Sequence, residues 1–421
     1  MQQRTPWSAV LVLGLVLGGC GSAAVSDRTG PSGDDLVVWD WKSGDANAAA
    51  YLDEARAHFA KSHPDVDVEF VAQPFDQYYT LLGAAIQSGR GPDVILFNGG
   101  GQLRDRVDAL LPLDEYVAED RRRLVGWDAF THAGKTYAAP VTLQGHPLYY
   151  NKALYEQAGL DPEAPAGNWA DFVEDCGAIT DRTGAGCFGV GNKEGIGIQF
   201  FLSAMGSAVL TPDEYDRWIA GERDWTSPNV KRIFELWQQV DAAGLNNDGV
   251  NSTAMFNDAF ALFQSGRAAH VIGLVSDVGH WKDFGEFLDP DDVGVMAAPV
   301  VNPGATPSLP YDGGIGYGVA KWTRDPEAAA DLVRSLTSTA ALGAFSADAG
   351  AIAADTTVDV SAADPAVAAI TSAIRTGKPA LHVALSSETV DLMGRLSQQL
   401  LSGSTTVDEA VARLAASDAA G

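Results

Sequence analysis

The nucleophiles, bases and metal ligands of this chain fall at spacings that complete no familiar catalytic signature. A serine-hydrolase elbow needs Gly-x-Ser-x-Gly, a zinc peptidase needs His-Glu-x-x-His, and an EF-hand needs a loop of regularly spaced carboxylates. The sequence holds none of the three. Gly134-Lys135-Thr136 has the end of a phosphate-cradling loop, but the loop's first glycine would fall at Ala129. Gly189-Val190-Gly191 starts like a dinucleotide turn, yet Glu194 stands where a third glycine must let strand and helix approach. No Cys-x-x-Cys and no Cys/His cluster has zinc spacing. These residues call for no cofactor and no metal. Carboxylates are abundant, so a pair flanking a glycosidic bond stays open, although any acidic chain contains such pairs.

The charge balance narrows the partners. Asp and Glu number 55 against 28 Lys and Arg, a net charge of −27, with a pI near 4.4. Nucleic acid is excluded as a partner, because phosphate binding needs a basic surface. A basic membrane-surface patch is excluded on the same ground. With 46% hydrophobic and 20% charged residues over 421 positions, the chain is globular and long enough for two or three domains. Net charge of this size speaks to solubility and leaves the substrate open.

The N-terminus reads as a targeting segment. Arg4 precedes an apolar run of eleven residues, Ala9 to Gly19, too short for a membrane span of about twenty. The run ends Leu17-Gly18-Gly19-Cys20. This resembles the lipobox of bacterial lipoproteins, in which Cys20 would be diacylated and become the first residue. Gly18 stands where a small polar residue or alanine is usual. An ordinary secretory signal with an incidental cysteine is the alternative. Residues 21–35, rich in Gly, Ser, Asp and Pro, read as a flexible tether. The chain is thus expected outside the cell, on the outer face of the cytoplasmic membrane, held by its lipid alone. With Cys20 set aside, Cys176 and Cys187 form an even pair eleven residues apart. Export favours a disulfide between them over two buried thiols.

The elements that follow alternate between strand and helix. Leu36-Val37-Val38-Trp39 is a buried parallel strand by its continuous apolar run. Leu52, Ala55 and Phe59 mark a helical face that stops at His63-Pro64. Val66, Val68 and Phe70 alternate as a second strand, a helix spans Tyr79 to Ser88, and Val94-Ile95-Leu96-Phe97 is a third strand. That β-α-β-α-β order predicts a parallel sheet with helices on both faces. A second α/β stretch starts near Leu148. Asn168 caps a helix with Trp169, Phe172, Val173 and Cys176 on its apolar face. Further helices are expected over Val230 to Val240 and Phe256 to Phe263, after the Asp325-Pro326 cap, and after the Thr406/Glu409 capping box.

Four short segments, in this order and spacing, resemble one family. They are Ser88-Gly89-Arg90-Gly91-Pro92-Asp93-Val94; Gly134 to Pro140 running into Tyr149-Tyr150-Asn151-Lys152; Phe263-Gln264-Ser265-Gly266-Arg267-Ala268-Ala269; and Gly313-Gly314 leading through Val319-Ala320-Lys321 to Asp325-Pro326-Glu327. From about Leu36 to its end the chain resembles the extracellular solute-binding proteins of ABC importers, in the carbohydrate class that includes maltose-binding protein. The resemblance implies an α/β fold of two lobes, each a sheet flanked by helices, with a cleft between them. Lobe one would comprise about 36–145 plus 293–345, and lobe two about 146–292 plus 346–421. It implies binding and delivery without bond chemistry. The partners would be a carbohydrate of oligosaccharide size and the permease's membrane subunits, with the receptor acting as a monomer. Polyamines, betaine or glycerol phosphate esters on the same scaffold, a surface-anchored glycan hydrolase, and a sensor for a membrane kinase are the alternatives.

Sugar binding asks for aromatic faces against C–H surfaces and planar polar groups for hydroxyls, beyond the carboxyl ends of strands. Asp40 and Trp41 follow the first strand. Asn98-Gly99 follows the third, in a turn that faces the cleft in the family. Gln144 takes the position of a sugar-binding carboxylate in maltose-binding protein, while His146 nearby reads as a structural histidine. Glu194 is expected on the second lobe's cleft side. Trp281 matches a tryptophan that stacks on sugar in relatives. Asp312, Gly313 and Gly314 follow a lobe crossing. Gln73, Phe75 and Tyr78 lie in a stretch that also reads as the start of a helix.

Overall fold

Burial on both faces shapes the first sheet. In the computed structural model, which describes residues 35–276, 279–358, 365–374 and 377–420, β1 (Leu36–Asp40), β2 (Val68–Ala72) and β3 (Val94–Asn98) pair in parallel in the order β2-β1-β3. Along β3, Val94 and Leu96 face a cluster with Tyr51, Leu52, Phe59, Leu332 and Val333. Ile95 and Phe97 face the opposite cluster, with Tyr78 and Leu82. Helices therefore cover both sides, as the unbroken apolar runs require. Two strands from distant sequence complete the sheet. Ile315–Val319 runs antiparallel to β3 on one side and to Ala138–Pro140 on the other.

A second, mixed sheet forms the other lobe. Leu148–Asn151 lies antiparallel to both Ala268–Ile272 and Val293–Met296, and Gly186–Phe188 adds in parallel beyond Ala268–Ile272. The helix Gly197–Val209 is buried around almost its whole circumference, as befits the centre of a core rather than its surface. It packs with the helices Pro228–Ala242 and Ser387–Leu401. Caps read from sequence appear at their places. Asn168 accepts from the Asp171 backbone N–H at 3.1 Å, Asp325 from that of Ala328 at 3.0 Å, and Thr406 and Glu409 close a capping box.

Two expectations change. Val293–Met296 pairs with Leu148–Asn151, so the segment that returns to the first sheet starts later than 293. The helix Thr339–Ala349 still packs on Ala49–Phe59 beside the first sheet, and residues to Asp355 keep bridging to that lobe. The return therefore also ends later than 345. Phe256 to Phe263 is not one regular helix. Met255–Ala259 is a π-turn that passes into the α-helix Phe260–Gln264. The signal segment, Cys20 and the tether through residue 34 lie outside the described residues.

Cys176 and Cys187 are disulfide-bonded, with Cα atoms 5.1 Å apart, joining the Trp169–Thr183 helix to the strand Gly186–Phe188. Beside them, His270 is fixed by Tyr155 Oη at 2.8 Å and the Cys187 carbonyl at 3.0 Å. With both sulfurs bonded to each other, this trio does not suit a metal. Replacing both cysteines by alanine should cost about 2–4 kcal/mol, by analogy with short closed loops. The readout is a lower denaturant midpoint, and an unmoved midpoint would assign the bond no stabilising role.

Candidate functional site

The two sheets are joined where backbones cross. Leu143–Gly145 and Tyr311–Gly313 form a two-stranded antiparallel ribbon, with Gln144 opposite Asp312. Gly145 also exchanges backbone hydrogen bonds with Val275, at 2.8 and 3.0 Å. The turn after β3 docks on this ribbon, its Gly99 N–H donating to the Gly314 carbonyl at 2.8 Å. A Cβ on Gly99 would stand 2.6 Å from the Gly313 carbonyl, and one on Gly314 would stand 2.6 Å from both Thr142 Oγ1 and Ser276 Oγ. These glycines serve backbone packing. Gly99, Gly313 and Gly314, the glycines expected beside the solute, thus hold the crossing together by close packing.

The crossing gathers Asn98, Gln144 and Asp312, three polar candidates distant in sequence. Asn98 is held by its backbone N–H donating to Tyr79 Oη at 2.9 Å. The side-chain amides of Asn98 and Gln144 are half-buried and have no protein partner among the described residues. Asp312 is buried, and one of its oxygens accepts from the Gly313 N–H at 2.8 Å. Burial, and to a lesser degree the nearby Asp128, raise its carboxyl to about 7, against the opposing pull of Gly313 N–H and Arg104.

Around the crossing stand two aromatic groups. On the first lobe, Trp41 meets Phe75 edge-on at 5.4 Å, Tyr78 at 4.8 Å and Tyr79 at 6.4 Å, with Phe75 51% exposed. On the second lobe, Phe256 projects from the π-turn, 41% exposed, and contacts Phe200 at 6.0 Å and His280 at 6.2 Å. Glu194, exposed, accepts from the Met255 N–H at 3.3 Å beside that turn. Reading the sequence missed Phe256. Its signal was the Phe256, Phe260, Phe263 spacing, which suggests one buried helix face.

Other candidates serve the fold. Asp40 is fully buried; one carboxylate oxygen accepts from Lys42 and Ser43 N–H at 2.8 and 2.6 Å, and the other from Tyr317 Oη at 3.4 Å. Its carboxylate ties the end of β1 to the strand Ile315–Val319 and offers little to a solute. Trp281 is 6% exposed and donates its indole N–H to the Gly350 carbonyl at 2.9 Å. It packs in the second lobe's core, which corrects its placement as a stacking face. A recess of about 340 Å³ beside Lys42, Asp45, Asn47 and Phe345 lies off the crossing.

The lobes also meet directly. Arg104 donates to the carbonyls of Val383 and Leu385, each at 2.9 Å. Asp105 accepts from the Ser387 backbone N–H at 3.3 Å and from its hydroxyl. Arg106 bonds Gln102 and lies over the Tyr79 ring at 4.8 Å. Arg104 and Arg106 are thus engaged with protein groups.

Over residues 41–342 the sequence matches the family model described as bacterial extracellular solute-binding protein. An arabinooligosaccharide-binding protein of Halalkalibacterium halodurans is 30% identical over 172 residues, 38% of each chain. An sn-glycerol-3-phosphate-binding periplasmic protein of Yersinia pseudotuberculosis is 22% identical over 307 residues, 68% of this chain and 61% of that one. The chain spans about six-tenths of the length of the curated relatives it first matches. The solved structure of a chitin oligosaccharide binding protein shares the fold, with a TM-score of 0.78 at 20% identity over 91% of this chain and 99% of that one.

Because the native Asp312 carboxyl holds its proton to about pH 7 and the unfolded one releases it near 3.8, its contribution to stability is full below about pH 4. It is lost as pH rises through 7. Asp312→Asn should remove that loss. The variant's stability advantage over the wild type should grow between pH 4 and 7.5 by on the order of 3 kcal/mol. A difference that stays flat across this range would contradict the assignment.

Proposed function

The chain belongs to the bacterial extracellular solute-binding proteins, and from that premise we propose that it binds a neutral carbohydrate, of oligosaccharide size, at the crossing of its two lobes. The bound solute is then delivered to the membrane subunits of an ABC importer. The observation that carries this reading is the pairing of partner-free amides with exposed aromatic faces. Asn98 and Gln144 each supply a planar amide with donors and an acceptor. Phe75 and Trp41 on one lobe, and Phe256 on the other, supply apolar faces suited to a pyranose.

The charged alternatives fit less well. A phosphate ester needs a cation to spare, and Arg104 and Arg106 are engaged with backbone carbonyls and Gln102. A polyamine or betaine needs carboxylates facing an aromatic cage. Asp40 is fully buried, with one oxygen held by its own turn and the other by Tyr317, and Asp312 is largely protonated below about pH 7. A solute touching both lobes favours the closed arrangement by its differential affinity. The receptor works as a monomer held at the outer membrane face through Cys20, with lobe one formed by about 36–145 plus a returning segment near 311–358 and lobe two by the other described residues.

A thermal-shift screen of the chain from Asp34, with mono-, di- and oligosaccharides, polyamines, betaine and glycerol phosphate, tests this. Binding at a hundredfold excess over the dissociation constant stabilises by about 2.7 kcal/mol. An oligosaccharide should give the largest shift and be recovered intact. Phe256→Ala should weaken its binding about tenfold, roughly 1.4 kcal/mol. A response to cations or phosphate esters alone would overturn the carbohydrate assignment.

A further inference from the structure

Of the buried histidines, one breaks the rule that buried polar groups are paired. His270 is bonded at both ring nitrogens, to Tyr155 Oη and the Cys187 carbonyl. His382 has Ser203 Oγ 2.7 Å from its Nδ1. His280 accepts from the Leu274 N–H at 2.8 Å. His146 is 1% exposed, yet neither of its ring nitrogens has a hydrogen-bond partner among the described residues. A histidine kept for structure would be expected to resemble His270. His146 also occupies a particular place, directly after Gly145 on the crossing ribbon and two residues past Gln144.

The surroundings of His146 are aromatic and uncharged. Its ring meets the edge of Phe200 at 4.6 Å and the ring of His382 at 5.1 Å. Phe200 in turn contacts the exposed Phe256, so a line of rings runs from solvent to His146. Burial first, and then the neighbouring His382 and His280, push its pKa well below the usual histidine range. The ring is therefore neutral at pH 7, with one nitrogen donating and the other accepting.

We propose that His146 is a solute-binding residue, whose two ring nitrogens pair with hydroxyl groups of an uncharged polyhydroxy solute lying along Phe256 and Phe200. This rests on the carbohydrate reading above and narrows it. A donor and an acceptor on one ring match hydroxyls, which offer both. A phosphate or carboxylate would present acceptors alone, which the donating nitrogen could meet but the accepting one could not. An ammonium would present donors alone, which the accepting nitrogen could meet but the donating one could not. The unpaired nitrogens make the empty protein less stable than it could be, and occupancy by solute removes that deficit.

Affinity and stability should respond separately to changes at His146. Full-length wild type, His146→Phe and His146→Gln are compared by unfolding midpoint without solute and by calorimetric titration with maltotriose, arabinotriose and triacetylchitotriose. His146→Phe removes the unpaired atoms, so its midpoint should equal or exceed that of the wild type, while binding to the trisaccharide the wild type prefers weakens at least about tenfold. His146→Gln keeps a donor and an acceptor and should bind within about threefold of wild type. Unchanged binding by His146→Phe, or a lowered midpoint in that variant, would overturn the role of His146 alone. Failure of the wild type to bind any of the three sugars would overturn the carbohydrate reading, and this inference with it.

Discussion

The architecture depends on a close approach of backbones. Where the strands cross between the lobes, Gly99, Gly145, Gly313 and Gly314 meet carbonyls or hydroxyls at distances that leave no room for a Cβ. Only this lets the turn after β3 donate to the Gly314 carbonyl while the Leu143–Gly145 strand keeps its pairing with Tyr311–Gly313. A side chain at any of these positions would push the lobes apart or shift the ribbon's register. Every polar group gathered at the crossing owes its place to that contact.

From this constraint follows an unexpected electrostatic character. The chain carries 55 acidic residues, yet the carboxylates at the crossing are muted. Asp40 is occupied by backbone N–H groups and a tyrosine, and burial raises Asp312 to about 7. The nearby arginines hold the second lobe's carbonyls and a glutamine. What remains are amides, neutral imidazoles and aromatic faces, a surface suited to hydroxyl groups. The acidity belongs to the outside, where it serves solubility.

Much of the fold was legible because its signals are local. The strand runs, the Asn168, Asp325 and Thr406 caps, and the cysteine pairing each follow from neighbours in sequence. The misplaced features depend on distant contacts. Val293–Met296 reads as a strand on its own, but its sheet is decided by Leu148–Asn151. Trp281 sits on a helix whose buried face is set by the carbonyl of Gly350 and the core around it. Phe256 escaped because a regular helix would align it with Phe260 and Phe263. The π-turn inserts a residue, leaving Phe256 exposed while the other two stay buried. The unpaired nitrogens of His146 become visible only once every neighbour is in place.

On the proposed reading, one solute touches both lobes at the ribbon. Hydrogen exchange by mass spectrometry, on the chain with and without a saturating neutral oligosaccharide, tests it most directly. Exchange should slow in peptides covering 98–105, 143–147 and 311–314, together with those covering 253–260 on the second lobe. Protection confined to one lobe, or gathered at the recess beside Lys42 and Phe345, would contradict it.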